Sequence, residues 1–198
     1  MTSSDGKRSN AVNRVWQTDP QAVADEELVH ACVAGDRTAF DLLVTRHQQH
    51  VYRLCYRFVG NHEDASELAQ DAFVRAYRAL AKFERSAKFT TWLHRIAVNV
   101  CLNRLALKTP KHQSLPDRDA TPARTEPVDA GVLREERAAR VRAAILRLPP
   151  KQRATLILRA YHELPHEEIA RILGNSVGAV KANFFHALGN LKKLLDEE

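Results

Sequence analysis

The stretch at 109–131, TPKHQSLPDRDATPARTEPVDAG, holds four of the chain's eight prolines (Pro110, Pro116, Pro122 and Pro127). It is rich in Asp, Thr and Arg and shows no apolar periodicity. Proline lacks an amide donor and clashes with the preceding turn, so no helix or central strand runs through such a segment. The chain must therefore fold as two blocks, and the sequence predicts a flexible tether over 108–133. A random coil of this length spans roughly 25–30 Å on average, enough to hold two modules at separate sites on one ligand. Residues 1–24 are polar and read as a disordered tail.

Both blocks carry the 3.6-residue period of amphipathic helices. In the first, Leu28, Cys32, Phe40, Leu43, Val51, Leu54 and Phe58 predict one or two helices, broken or bent near Gly35-Asp36. Leu68, Ala72, Phe73, Ala76, Tyr77 and Leu80 form the next stripe, with Asn61 as N-cap and Glu63 and Asp64 favourable in its first turn. Phe89, Trp92, Leu93, Ile96, Ala97 and Val100 define a further helix running to about Leu105. In the second block Val141, Ile145 and Leu148 lie on a helix stopped by Pro149-Pro150, and 151–161 form another. No segment alternates with period two, and no Asn-Gly or Asp-Gly pair sits between alternating runs as a hairpin would require. The expected fold is all-α: two small helical domains, 25–107 and 134–198, joined by the flexible linker.

With 44% hydrophobic and 27% charged residues, most of the chain should fold. No run of eighteen apolar residues crosses a membrane and the opening MTSSDGKRSN has no leader-like apolar core, which predicts a cytoplasmic protein without membrane insertion. The net charge of +6 is compatible with a polyanionic partner. Cys32, Cys55 and Cys101 form no Cys-x-x-Cys pair and lie among apolar neighbours, so they read as small buried hydrophobes.

The segment PHEEIARILGNSVGAVKANFFHALGNLKKLL is the most informative. Ile169, Ala170 and Leu173 give a short apolar face, Gly174-Asn175-Ser176 a turn, and Val180, Phe184, Ala187, Leu188 and Leu191 a longer face. Two helices joined by a glycine-containing turn make a helix-turn-helix, which commonly sets its second helix in the major groove. Ser176 can cap that helix and leave its amide-rich end free for a phosphate. Lys181, Ala182, Asn183, Phe185 and His186 are then left directed outward, with Lys192 and Lys193 near the far end for backbone phosphates. Phe185 either meets a thymine methyl or packs on a neighbouring helix.

Four patterns in order resemble the sigma-70 superfamily, specifically its small extracytoplasmic-function (group 4, sigma-E-like) members. They are Gly35-Asp36-Arg37-Thr38-Ala39-Phe40; the run from Asp64 to Tyr77 (DASELAQDAFVRAY); the run from Phe89 to Asn99 (FTTWLHRIAVN); and the helix-turn-helix from Glu167 to Lys181. The resemblance implies a σ2-like domain at 25–107 and a σ4-like domain at 134–198, without the family's usual intervening domain. It implies an alternative sigma factor that binds core RNA polymerase and directs promoter-specific initiation, with an anti-sigma factor as further partner. It implies that Asp64, Glu67, Gln70, Asp71 and Arg75 form an exposed strip docking on polymerase. It also implies that the helix around Arg95, Asn99 and Asn103 handles the −10 element, with Phe83, Arg85, Ser86 and Lys88 at a loop that captures a flipped base. Arg95, Asn99 and Asn103 recur every four residues, and asparagine is costly in a helix interior unless it binds something. By the same resemblance Ser176, Lys181, Ala182, Asn183, Phe185, His186 and Lys192 read the −35 element. The chain departs from many relatives in having Asn183 and His186 where arginine stands, and Pro165 at a capping position.

Two other function classes have weaker support. A stand-alone helix-turn-helix regulator explains the second block only. An enzyme would need a site, and the chain has no Gly-rich phosphate loop, His-Glu-x-x-His or nucleophile elbow. The histidine pairs His47/His50 and His162/His166 lack a carboxylate at ligand-forming spacing, so no metal and no cofactor are expected.

Overall fold

The computed structural model describes residues 23–83, 88–108 and 130–197, and every regular element among them is helical. The order is α1 (Asp25–Val33), α2 (Arg37–Val59), α3 (His62–Ala79), a 3-10 turn (Leu80–Lys82), α4 (Phe89–Lys108), α5 (Ala130–Arg147), α6 (Pro150–Ala160), α7 (His166–Leu173) and α8 (Val177–Asp196). The body of the tether and residues 1–22 lie outside the described residues. α4 continues three residues past Leu105 because Ala106, Leu107 and Lys108 are good helix formers.

Local chemistry sets each break. Of the break or bend expected at Gly35-Asp36, the structure has the break: Gly35 adopts φ +104°, and Asp36 Oδ1 accepts a hydrogen bond from the Thr38 amide at 2.9 Å to open α2. Asn61 caps α3 as expected, accepting from the Asp64 amide at 2.8 Å. Pro150 begins α6, where the missing amide proton costs nothing. Gly174 ends α7 in the left-handed region (φ +63°), and Ser176 Oγ caps α8 by accepting from the Ala179 amide at 3.2 Å.

In the first domain Leu28, Leu43, Leu54, Phe58, Leu68, Phe89 and Leu93 are buried, as their periodicity requires. Each such side chain contributes about 1.5–3 kcal/mol relative to exposure. Tyr77 departs from its stripe: it is 44% exposed and meets Phe40 edge-on, ring centroids 4.9 Å apart. Cys55 and Cys101 are buried and Cys32 half-buried. In the second domain Ile145, Leu148, Ile157, Leu158, Ile169, Ile172, Val180 and Ala187 are buried around the helix-turn-helix.

The two domains touch. α4 packs on α7, and α2 on α5 and α6. Arg153 of α6 is 7% exposed; it donates to the Phe58 carbonyl of the first domain at 2.8 Å, and to the Leu146 and Leu148 carbonyls of its own.

Candidate nucleic-acid interfaces

On α4, Leu93, Ala97, Val100 and Cys101 turn into the core, which leaves Arg95, Asn99 and Asn103 exposed along one stripe. Exposed amides in mid-helix offer both donor and acceptor to a base edge. Lys88, just before this helix, is exposed; Arg85 and Ser86 fall outside the described residues. Phe83 is half-buried in an aromatic cluster, 5.9 Å from Phe89 and 5.2 Å from Trp92 between ring centroids. It is therefore a packed ring, with only part of its face available.

On α8, Val180 and Ala187 are buried while Lys181, Ala182, His186 and Lys192 are exposed. Phe185 is 75% exposed, which excludes packing on a neighbouring helix within this fold and leaves an apolar ring beside His186. Asn183 is partly covered, so it reaches outward less freely than its neighbours. Ser176 is exposed and its hydroxyl oxygen already accepts from Ala179, so its part at the helix start is structural first.

The acidic strip of α3 is less uniform than expected. Glu67 and Gln70 are exposed, but Asp64 has only 17% of its side chain exposed. Arg104 of α4 bridges Asp64 at 3.0 Å and Glu67 at 2.6 Å, and Arg75 pairs with Asp71 at 2.9 Å. The strip thus carries its own counter-cations, and Arg104 ties the α3 strip to the helix bearing the asparagine stripe. Its partnership joins residues 40 apart in sequence, and no local pattern announces it. A groove of about 550 Å³ between α2 and α3 widens the strip, adding Gln48, Gln49 and Tyr52 beside Gln70. The Tyr52 hydroxyl bonds His62 Nδ1, and the His62 and Tyr56 rings lie 4.7 Å apart.

His47 finds a carboxylate after all, in Asp25 of α1 at 2.8 Å, with Arg46 on the other oxygen. Burial raises the Asp25 carboxyl, but the hydrogen bonds and charges of His47 and Arg46 outweigh it and hold the group below its usual range. Among the described residues no group of three or more His, Cys, Asp or Glu side chains converges as a metal site.

Comparison with known proteins adds the family. Residues 43–109 match Sigma-70 region 2, and residues 138–191 match Sigma-70, region 4. The chain is 36% identical over 183 residues to the RNA polymerase sigma-H factor of Pseudomonas aeruginosa, covering 86% of this chain and 93% of that one. It is 37% identical over 174 residues to the ECF RNA polymerase sigma factor SigM of Mycobacterium tuberculosis, covering 87% and 85%. It is 35% identical over 179 residues to the ECF RNA polymerase sigma-E factor of Escherichia coli, covering 84% and 92%. Among solved structures, CnrH in complex with the cytosolic domain of CnrY superposes with a TM-score of 0.66 at 27% identity, over 89% of this chain and 99% of that one. Both halves of the chain, in order and over most of its length, thus place it in the sigma-70 family, among the extracytoplasmic-function sigma factors.

Proposed function

We propose that this chain initiates transcription at particular promoters by dividing the work between its two domains. The first domain docks on core RNA polymerase through Asp64, Glu67, Gln70, Asp71 and Arg75 of α3, extended by the α2 groove. It handles the −10 element with Arg95, Asn99 and Asn103, while Arg85, Ser86 and Lys88 hold an extruded base near Phe83. Extruding a base costs a few kcal/mol, and stacking it returns about 1–3 kcal/mol, so melting is shared between base capture and polymerase binding, with no ATP needed. The second domain reads the −35 element with Lys181, Ala182, Asn183, Phe185 and His186, while Ser176 and Lys192 bracket backbone phosphates. An anti-sigma protein is the regulatory partner, as the anti-sigma factor NepR is in the solved complex with the sigma factor RpoE of Bartonella quintana, a protein of the same fold. A cytoplasmic address fits a chain in which no described helix is long and apolar enough to cross a membrane.

The observation that carries this reading is the exposed asparagine stripe on a helix whose other faces are packed. Run-off transcription with purified core polymerase on pooled promoter fragments tests it. Initiation should depend on the protein and fall between about fivefold and a hundredfold or more in Asn99→Ala, the cost of losing one base contact worth about 1–3 kcal/mol. Binding of that variant to core polymerase should be unchanged. Duplex binding by the protein alone, with no polymerase-dependent initiation, would instead describe a stand-alone regulator.

A further inference from the structure

The contact between the domains contains a polar seam that neither DNA reading nor polymerase docking uses. Thr91 of α4, 5% exposed, donates its hydroxyl to Glu168 of α7, 77 residues away. One turn along α4, the His94 ring meets the His162 ring of the α6–α7 turn edge-on, with centroids 5.1 Å apart. His94 Nδ1 is buried without a hydrogen-bond partner. Around this pair, the Arg57 guanidinium of α2 lies 3.8 Å over the Tyr161 ring. Beside the seam, an interdomain groove of about 570 Å³ between the end of α2 and α5 is left unfilled. The domains are therefore held at a few polar and aromatic points, with a void alongside, which suits a contact that can release.

We propose that the α2–α4 face of the first domain is a docking surface for this chain's own second domain, and that the His94–His162 pair makes this docking proton-sensitive. His94 and His162 are half-buried, and two imidazoles in such ring contact pack best while neutral, since protonating either sets a charge in a partly desolvated seam and protonating both sets like charges face to face. Burial pushes His94 down to about 4, against the opposing pull of Glu168 from α7 and with the help of His47 and His50 from α2. Burial likewise pushes His162 down to about 4, helped by His94 from α4 and by Arg57 and His50 from α2. Released from the seam, each ring returns towards the ordinary histidine value of about 6.5. The docked state therefore binds fewer protons than the undocked one. Its stability is complete above about pH 6.5 and is lost progressively as pH falls towards 4. With two such groups, lowering the pH from 7.5 to 5.5 shifts the docking equilibrium about a hundredfold towards the undocked form. Undocking separates the two reading surfaces without unfolding either domain.

Small-angle scattering of the full chain at pH 7.5 and 5.5, with far-UV circular dichroism on the same samples, tests this. The wild type should be small at pH 7.5 and expand at pH 5.5 with its helicity intact. The double variant His94→Phe/His162→Phe keeps two packed rings without a titratable nitrogen and should stay small at both. Thr91→Trp overfills the position where the nearly buried Thr91 meets Glu168 and should be expanded at both. Histidine NMR titration supplies a readout that does not depend on the double variant folding. His94 and His162 should titrate below 6.5, together with the expansion, in the wild type and near 6.5 in Thr91→Trp. An expanded wild type at pH 7.5, a wild type still small at pH 5.5, or the two rings titrating alike in both proteins would each overturn the proposal.

Discussion

Asn99 and Asn103 were legible from sequence because a stripe repeating every four residues on one helix needs no tertiary knowledge. Arg104, one position further on, was not legible as a bridge, because its partners Asp64 and Glu67 reach it only once α3 has packed on α4. The same holds for His94 and His162, which sequence spacing sorts into no pair at all. The cysteines stand between these cases. Apolar neighbours foretold their burial, but only the fold shows a hydrogen bond with Cys55 that, together with burial, pushes the Cys101 thiol far up. Burial, then the charges of Asp36 and Asp41, also raises Cys32. Thiolate is the reactive form. The native protein should therefore show no fast-reacting thiol towards a disulfide reagent at pH 8, and three after unfolding in guanidinium. A rapidly labelled cysteine in the native state would contradict that burial.

The elements themselves were the most readable part, because their ends are written in capping chemistry that acts over three or four residues. Asn61 and Ser176 cap α3 and α8 as expected, and Asp36 does the same for α2. Asp36→Ala and Asn61→Ala should each lower stability by about 1 kcal/mol, and Asp36→Gly by only a few tenths. Urea unfolding monitored by circular dichroism would measure this. Ser176→Ala should cost a similar amount and also weaken promoter binding. That second effect would be absent if α8 did not present its first turn to DNA. Apolar periodicity alone leaves one or two helices open before Val59, and it is the left-handed Gly35 with the Asp36 cap that separates α1 from α2. Tyr77 of α3 departs from its stripe for a related reason. Periodicity counts it as core, but its ring lies along the edge of the domain against Phe40.

At the scale of the whole molecule, the two-block division follows from the prolines, whereas the docking of the blocks depends on contacts that no local pattern encodes. Arg153 illustrates this: it opens the buried run 153–158 of α6 and is the cation there that serves carbonyls of both domains. Burial lowers its pKa, yet an arginine stays charged, so removing it leaves three carbonyls to find other donors. Arg153→Met should cost about 1.5–3 kcal/mol in thermal unfolding. It should also loosen the first domain's hold on the second, seen as faster amide exchange at the end of α2. Gly60, which ends α2 at φ +77°, lies against the Leu146 side chain of α5. A Cβ at that position would come within 2.3 Å of a Leu146 methyl carbon. The hydrogen atom of this one glycine is thus the clearance of a joint: the residue that stops a helix also sets how closely two bodies can shut. A shape tolerance of this kind is carried by what the side chain leaves out.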